Sequence, residues 1–511
     1  MFCNLQLIDS VTVTLVSRDC GSSPTHVMTT TLLWPAQRAD SEFASFSFKA
    51  PPTEPAEWVI HEFAHAALPD QRHRRRLHMM ATAFAQKPTA PIPQACPSWA
   101  EAKAAYRFLE NDKILASAIR QAHHQATLQR VSSHPVVLAV QDTSTLNYST
   151  HPKTQGLGPI GSHSPKTIGL LLHSTLAVTP AGQPLGFLHN AVRVRRGRRL
   201  AAKRHRRKLA QKESYKWVES LSACQALAPL CSQTTLVNIT DREGDLYELF
   251  VRALSAPGPK VHLLVRARHD RKLADQDHTL WQEVARQRVA ATLSVLVGRR
   301  GDQPSRVAKL NIRFSNVHLK APSRKASQPP IDLWAIEARE ISPPKGSAPI
   351  LWRLLTTLPV TCAQEAIEKV SWYAQRWQIE VIHKVLKSGC QVEQRQLESA
   401  QRLERVLSVD LVVAWRVLAL CKAARELPED PISDWLPLAQ WQALCCYVHR
   451  QTTPAKTAPS VRQAVRWIAQ LGGFLGRKSD GQPGTQTLWR GLQQLDAMTN
   501  MWQLYHEKRR S

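Results

Sequence analysis

The sequence predicts an α/β protein in which a mixed central region lies between two helical ends. Apolar runs rich in β-branched residues, such as PVVLAVQ and TTLVNIT, occur between 134 and 240 and are typical of buried strands. Apolar residues recur at helical spacing over 58–131 and over 401–511. Residues 261–350 alternate short apolar runs with Pro and Gly turns, which predicts a β-rich insertion.

Composition narrows the class of protein. The 511 residues suffice for about three domains. Because 43% of the residues are hydrophobic, a wholly disordered basic tail is excluded. The chain has no apolar run long enough to span a membrane. It begins without the basic n-region of a signal peptide, and Asp9 interrupts the first apolar run, so we expect a cytoplasmic protein, associated with the bacterial nucleoid.

The charge is positive and unevenly distributed. The formal net charge is +27, which favours a polyanionic partner, with nucleic acid as the first candidate and a membrane surface as the second. Segments 190–220 and 261–350 carry 18 of this excess, and 193–212 alone holds 11 Lys and Arg. The stretches that hold the candidate catalytic carboxylates are nearly neutral.

Changes in composition and periodicity predict four regions. Residues 1–54 read as a poorly structured extension, and 55–133 as a small helical domain. Residues 134–400 read as the α/β domain, with its β-rich insertion at about 256–358. Residues 401–511 are predicted to be helical again.

Three carboxylates are candidates for catalysis. Asp142 and Asp241 each come at the end of an apolar strand, and Glu380 lies on a helix predicted over 363–390. Three carboxylates brought together cannot all stay ionised without a cation, and hard oxygen ligands suit Mg²⁺ or Mn²⁺. Two such ions are the usual device for cleaving a phosphodiester. An Asp at a strand end is also commonly a turn or helix cap, so a structural role for each one stays open.

The predicted helix adds a second signal. Tyr373, Arg376, Glu380 and Lys387 recur at spacings that place them on one helical face, with Lys384 beside them. Such a face could hold a metal ion and grip phosphates around it. It could equally be a solvated face with ordinary ion pairs.

The motifs together resemble a known family. The pattern Y-x2-R-x3-E-x6-K is the YREK signature of DDE transposases from insertion sequences, and the sequence is similar to the Tn5 group among them. The resemblance runs from about Trp58 to about Trp502. It is carried also by the segments QDTSTLNY, TDREGDLYE, VRARHDRK, PPKGSAPILWRLLTTLPV, AYRFLEN and IAQLGGFLGRKSDG.

The resemblance implies an RNase H-like catalytic core with a β-rich insertion, an N-terminal helical domain that binds transposon ends, and a C-terminal helical domain that dimerises. It implies cut-and-paste transposition by a homodimer in a synaptic complex with two DNA ends, with two Mg²⁺ or Mn²⁺ ions per active site. The implied catalytic and metal-binding residues are Asp142, Asp241 and Glu380. The implied DNA-binding residues are Tyr373, Arg376, Lys384, Lys387, Trp352, Arg266, Arg268, Arg242, Arg76 and Arg107, with Trp352 stacking on a flipped base.

Two other functions stay open. A catalytically silent or inhibitory transposase derivative would bind DNA without cutting it, although all three carboxylates are present. An RNase H-like nuclease without strand transfer would need neither helical end domain. The sequence also departs from the family pattern at His73, where the resembled transposase has an arginine, which leaves the recognised end sequence open.

Overall fold

The computed structural model describes residues 13–15, 28–30, 55–161, 167–195, 209–297, 306–325, 327–344, 346, 348–477 and 480–507. Its α-helices, in chain order, are α1 (Pro55–Phe63), α2 (Gln71–Gln86), α3 (Ile92–Ala95), α4 (Trp99–Glu110), α5 (Ala116–Val131), α6 (Tyr215–Leu227), α7 (Tyr247–Ser255), α8 (Leu280–Arg286), α9 (Ala363–Ala374), α10 (Trp377–Lys384), α11 (Ala400–Glu426), α12 (Leu438–His449), α13 (Val461–Leu471) and α14 (Thr485–Glu507).

The strands in the described residues are β1 (Val13–Leu15), β2 (Met28–Thr30), β3 (Val136–Asn147), β4 (Gly158–Pro159), β5 (Ile168–Val178), β6 (Pro184–Arg193), β7 (Thr235–Thr240), β8 (His262–Arg266), β9 (Ala291–Val297), β10 (Arg306–Leu319), β11 (Ile331–Glu340) and β12 (Leu351–Thr356). The predicted fold class is confirmed at this level, because a mixed sheet occupies the middle of the chain and helices occupy both ends. No helix among the described residues is long and apolar enough to cross a membrane.

The chain divides into two compact units, each built from segments that are not contiguous in the sequence. The first contains the described residues of 1–46, 135–142 and 208–377. The second contains those of 47–134, 143–207 and 378–511. Strand β3 is shared, since its first seven residues belong to the first unit and its last five to the second.

The first unit is built around a sheet with both parallel and antiparallel pairs. Strand β7 pairs in parallel with β3 on one side and with β8 on the other. From β8 the sheet continues through β12, β11, β10 and β9 as antiparallel neighbours, so residues 256–358 contribute most of its strands. The short strands β1 and β2 extend the sheet beyond β9. The remainder of 1–54 lies outside the described residues.

The second unit is mainly helical and forms around α11. Nearly every residue of LSVDLVVAWRVLALCKAA in this helix is buried, on all sides of the helix, as expected for a helix in the centre of a domain. Helices α2, α4, α5, α13 and α14 pack around it. Strands β5 and β6 pair as an antiparallel hairpin in the same unit, and β6 also packs against α11. Of the basic segment 193–212, residues 196–208 lie outside the described residues.

Two predicted elements differ from the structure. Strand β3 does not end at Asp142 but continues to Asn147, because it has β5 as a hydrogen-bonded neighbour in addition to β7, which pairs with Val136–Val140. The predicted continuous helix over 363–390 is interrupted after Ala374 by a turn at 375–376. It resumes as α10 and then widens into a π-helix over Val385–Gly389. A regular helical spacing therefore does not hold from Tyr373 to Lys387.

A buried ion-pair cluster joins α1, α5 and β6 in the second unit. The Glu62 carboxylate, which is fully buried, accepts hydrogen bonds from Arg130 Nη1 at 2.6 Å and from His123 Nδ1 at 2.6 Å. His123 Nε2 in turn accepts from the backbone N–H of Phe187 at 3.1 Å. This pattern fits a neutral imidazole with its proton on Nδ1, and burial lowers the pKa of His123 in agreement with that.

We expect this cluster to make the stability of the protein sensitive to acid. Burial by itself would raise the pKa of Glu62, but Arg130 and His123 outweigh it and lower the pKa to about 2, from an ordinary value of 4.5. The carboxylate therefore stabilises the fold above about pH 4.5, and this contribution, about 3 kcal/mol, is lost as the pH falls toward 2.

The measurement is urea unfolding of the wild type and of Glu62→Gln between pH 7 and pH 2. The stability advantage of the wild type should shrink by about 3 kcal/mol over the acid part of this range. Glu57→Gln, on the exposed side of the same helix, serves as the control and should leave the pH profile unchanged. An advantage that stays constant with pH would show that Glu62 is not the titrating group.

Candidate active site and nucleic-acid interface

Parallel pairing of β3 and β7 brings two of the predicted carboxylates side by side. The strands run in register, with Val140 opposite Ile239, so two residues farther along they reach Asp142 and Asp241. The Gln141 side-chain amide donates to the Asn238 side-chain oxygen across the same strand pair, and both residues are fully buried. The sheet therefore fixes the position of Asp142 and the point at which the chain leaves β7 for Asp241.

The chain after β7 is shaped to hold Asp241. Its carboxylate accepts a hydrogen bond from the Glu243 backbone N–H at 2.8 Å and caps a short 3₁₀-helix over Arg242–Gly244. A Cβ at Gly244 would lie 2.4 Å from the hydroxyl oxygen of Thr240, so the tight turn requires a glycine at this position. Asp241 therefore does act as a helix cap. The cap uses one carboxylate oxygen, and the second oxygen can bind other partners.

A guanidinium group lies beside the two carboxylates. Arg376 Nη1 is 3.5 Å from Asp142 Oδ2, and both side chains are largely buried. Burial raises the pKa of Asp241, and the hydrogen bond from Glu243 and the charge of Arg376 only partly offset it. The surroundings therefore solvate the charged form of Asp241 poorly. A bound cation would stabilise that charge.

Tyr373 and Trp352 form an aromatic pair next to Arg376. Their ring centroids are 5.5 Å apart and the rings are tilted by 70°. Burial raises the pKa of Tyr373, against the opposing charges of Arg376 and Arg266. Trp352 is only 5% exposed, because strand β12 directs it to this side of the sheet. As the structure stands, its ring is covered rather than open to a base.

The remaining members of the YREK signature belong to the second unit. Glu380 is half-buried on α10, and Lys384 is exposed at the end of that helix. Lys387 lies in the π-helix, with Nζ 3.9 Å from Glu393 Oε1. Among the described residues, no three side chains of His, Cys, Asp or Glu are grouped as a metal site requires, so the carboxylates that the structure brings together are Asp142 and Asp241.

Arginines line a cavity of about 490 Å³ in the first unit, next to Asp241. Its guanidinium groups belong to Arg242, Arg266, Arg268 and Arg353, and Trp281 and Asp270 complete its polar and aromatic lining. Burial lowers the pKa of Arg242, and the charges of Arg266 and Arg268 lower it further. Cations crowded in this way favour an anionic ligand such as a phosphate.

Buried carboxylates hold these arginines in place. Asp245 accepts hydrogen bonds from the backbone N–H groups of Arg268 at 2.7 Å and His269 at 3.0 Å, and pairs with Arg271 at 2.6 Å. On the neighbouring strand Glu337, which is 2% exposed, accepts from Arg353 Nε at 2.9 Å.

Sequence reasoning did not identify the two positioning carboxylates. The motif TDREGDLYE contains Asp245, but a second aspartate in a polar turn gives no sign that it is buried. Arg353 and Trp281 were missed in the same way. Their guanidinium–ring contact, at 5.0 Å, joins β12 to α8, which are distant in sequence.

The N-terminal helices carry the other predicted DNA-binding residues. Arg76 is half-buried on α2, and Arg107 is exposed on α4. His73 does not extend toward solvent as an arginine could. Its Nδ1 lies 2.9 Å from Asp70 Oδ1, and its Nε2 lies 3.0 Å from Asn111 Nδ2. This side chain therefore links the start of α2 to the end of α4.

Comparison with known families gives two matches. Residues 55–114, which span α1 to α4, match the family model described as transposase DNA-binding. Residues 412–505, from α11 to α14, match the family model described as the transposase Tn5 dimerisation domain. These matches confirm the predicted resemblance, and they support DNA and a second copy of the chain as partners.

We expect Asp245→Asn to release the loop that carries Arg268. Removing one member of a buried ion pair leaves Arg271 without its carboxylate, and changes of this kind cost about 3–5 kcal/mol. Hydrogen exchange of the Arg268 and His269 amides should then become much faster. Asp277→Asn, at an exposed position of the same segment, is the control. Unchanged protection of both amides in the Asp245 variant would contradict the positioning role.

Proposed function

We propose that this protein is a cut-and-paste DNA transposase with an RNase H-like core. It carries the DNA-binding and dimerisation domains of Tn5-type transposases. The observation that carries the proposal is that parallel pairing of β3 and β7 brings Asp142, in β3, next to Asp241, which directly follows β7. Both residues lie between the two matched domains in the sequence. The mixed sheet around β7 is compatible with an RNase H-like core, and the arginine-lined cavity beside it supplies affinity for phosphates.

The donor set of this pair fits a hard divalent cation. Asp142 and Asp241 offer carboxylate oxygens at a partly buried site where burial already raises the pKa of Asp241. We infer that these two residues and Glu380 hold two Mg²⁺ or Mn²⁺ ions, with Glu380 assigned from the signature. When bound, such ions lower the pKa of water and stabilise charge on the leaving oxygen.

The surrounding residues position the DNA. Arg376, which contacts Asp142, can exchange that contact for a phosphate oxygen of the cleaved strand, and Tyr373 can donate its hydroxyl proton to a neighbouring phosphate. Lys384 and Lys387 would hold further phosphates by charge. Arg242, Arg266 and Arg268 would bind the backbone that enters the cavity, which keeps the scissile bond near the carboxylates.

The reaction needs no covalent bond between protein and DNA. Water attacks a phosphodiester at the transposon end and frees a 3′-hydroxyl. That hydroxyl attacks the opposite strand and forms a hairpin, which a second hydrolysis opens. The two 3′-hydroxyls then attack the target DNA. Helices α2 and α4, with Arg76 and Arg107, would hold the end DNA, and the C-terminal helices would join two chains in a synaptic complex with two ends.

The first test removes the carboxylates singly. Asp142→Ala, Asp241→Ala and Glu380→Ala should each reduce Mg²⁺-dependent nicking of end DNA to background while leaving end binding within about threefold, because the binding helices lie elsewhere in the chain. Asp275→Ala, which removes an exposed carboxylate, is the matched control and should cut normally. Normal nicking by any of the three variants would refute the assignment. A wild type that binds ends without cutting them would instead indicate the silent derivative.

A second test concerns Trp352. If a flipped base stacks on this ring during hairpin formation, Trp352→Ala should slow that step by about tenfold more than the first nick, and Trp352→Phe should restore part of the difference. Trp372→Ala removes another buried indole of the same unit and controls for lost packing, since it should not change the ratio of the two rates. Equal slowing of both steps by Trp352→Ala would make Trp352 a core residue only.

A further inference from the structure

Helix α4 presents an exposed stripe of mixed chemistry. Its inner face is formed by Ala102, Ala105, Phe108 and Leu109, all buried. On the outer face, at successive spacings of four residues, lie Trp99, Lys103 and Arg107, all exposed. Residues four apart on a helix are neighbours, so the three side chains form a continuous line along one side of α4.

Trp99 is the unusual member of this line. Its side chain is 68% exposed, and it makes no ring contact within the described part of the chain. A single exposed apolar residue needs no explanation in most proteins. An exposed indole in line with two cations is a different case, since aromatic and basic side chains together are typical of surfaces that bind nucleic acid.

The two cations on the stripe are available for a ligand. Among the described residues, neither Lys103 nor Arg107 makes an ion pair or a side-chain hydrogen bond. Glu110, three residues after Arg107 on the same helix, is already engaged by Arg402 at 2.7 Å. Within the described ranges, the stripe therefore carries two positive charges that no carboxylate pairs with.

Contacts at both ends fix α4 rigidly. The Ser98 side chain caps its first turn by accepting from the Glu101 N–H at 3.3 Å. At the other end, Asn111 is hydrogen-bonded to His73, which ties α4 to the start of the basic helix α2. Rigid elements position contact residues more accurately than loops do, so the stripe is suited to specific recognition.

We propose that the stripe of Trp99, Lys103 and Arg107 lies directly on duplex DNA and that Trp99 contributes to sequence recognition. The proposal rests on the DNA-binding role proposed for this domain, and it adds Trp99 and Lys103 to Arg107. Uncompensated positive charge selects a polyanion, and the stripe spans about 12 Å of helix, comparable to the width of the major groove. Lys103 and Arg107 bind phosphates, while the Trp99 ring packs on the apolar edges of sugars and bases.

Two variants separate these roles. For the full-length chain, binding is measured against salt concentration on two duplexes, one selected by the wild type from random-sequence DNA and one scrambled. Lys103→Ala should lower the slope of log K against log salt by about 1, on both duplexes. Trp99→Ala should leave the slope unchanged, weaken binding to the selected duplex by about tenfold, and change binding to the scrambled duplex by less than about twofold.

Matched controls are available at exposed positions outside this domain. Leu230→Ala removes a large apolar side chain that is 66% exposed, and Lys153→Ala removes an exposed lysine; neither should change affinity or slope. Thermal unfolding of each variant confirms that the fold is intact, and Trp99→Leu provides a second truncation of the ring.

Unchanged affinity in both Trp99 variants, or equal losses on the two duplexes, would overturn the recognition role of Trp99. An unchanged slope in Lys103→Ala would overturn its phosphate contact. A wild type that enriches no sequence from random DNA and does not bind the scrambled duplex would instead refute the proposed DNA-binding function itself.

Discussion

The register between β3 and β7 is the constraint on which the candidate active site depends. It places Asp142, in β3, next to Asp241, the first residue after β7. The buried contact between the Gln141 and Asn238 side-chain amides reinforces that alignment. A slip of one residue would turn every side chain of the strand to the opposite face of the sheet. The proximity of the two carboxylates is thus a property of the core. Positive groups offset their mutual repulsion, among them Arg376 beside Asp142 and Lys216 near Asp241.

Further buried carboxylates position the arginines near Asp142 and Asp241. Asp245 and Glu337 are both almost fully buried, and each holds a segment or side chain of the arginine-lined cavity. For Glu337, burial would raise the pKa, but its hydrogen bonds to Arg339 and Arg353 outweigh that effect and lower it. Glu337 is thus kept charged by the arginines that it positions. Buried carboxylates therefore help to hold several guanidinium groups close together in one small region.

The sequence predicted the elements that depend on local pattern and missed those that depend on tertiary contacts. β-branched residues predicted β7, and the strand ends directly before Asp241, as expected. Helical periodicity predicted α2, α4 and α5. The continuation of β3 past Asp142 was missed because its second half, TSTLN, is mostly polar and lacks the apolar pattern of its first half. The break at 375–376 was missed because YAQRWQIE contains neither Gly nor Pro to signal it. Trp352 shows the same limit, since no local pattern reveals that its ring packs on Tyr373.

The two matched domains are not independent modules, because helix α11 contacts the first and forms part of the second. Its first turns contain Arg405, which is almost fully buried and donates to the backbone oxygens of Leu109 at 2.8 Å and Ile114 at 2.7 Å. Leu109 is in the last turn of α4, where helical carbonyls have no partner within the helix. Farther along, the same helix enters the segment matched to the dimerisation domain. The carbonyl end of a DNA-binding helix is therefore satisfied by a side chain from the helix that begins the dimerisation region, so the orientation of the α4 surface depends on the C-terminal half of the chain.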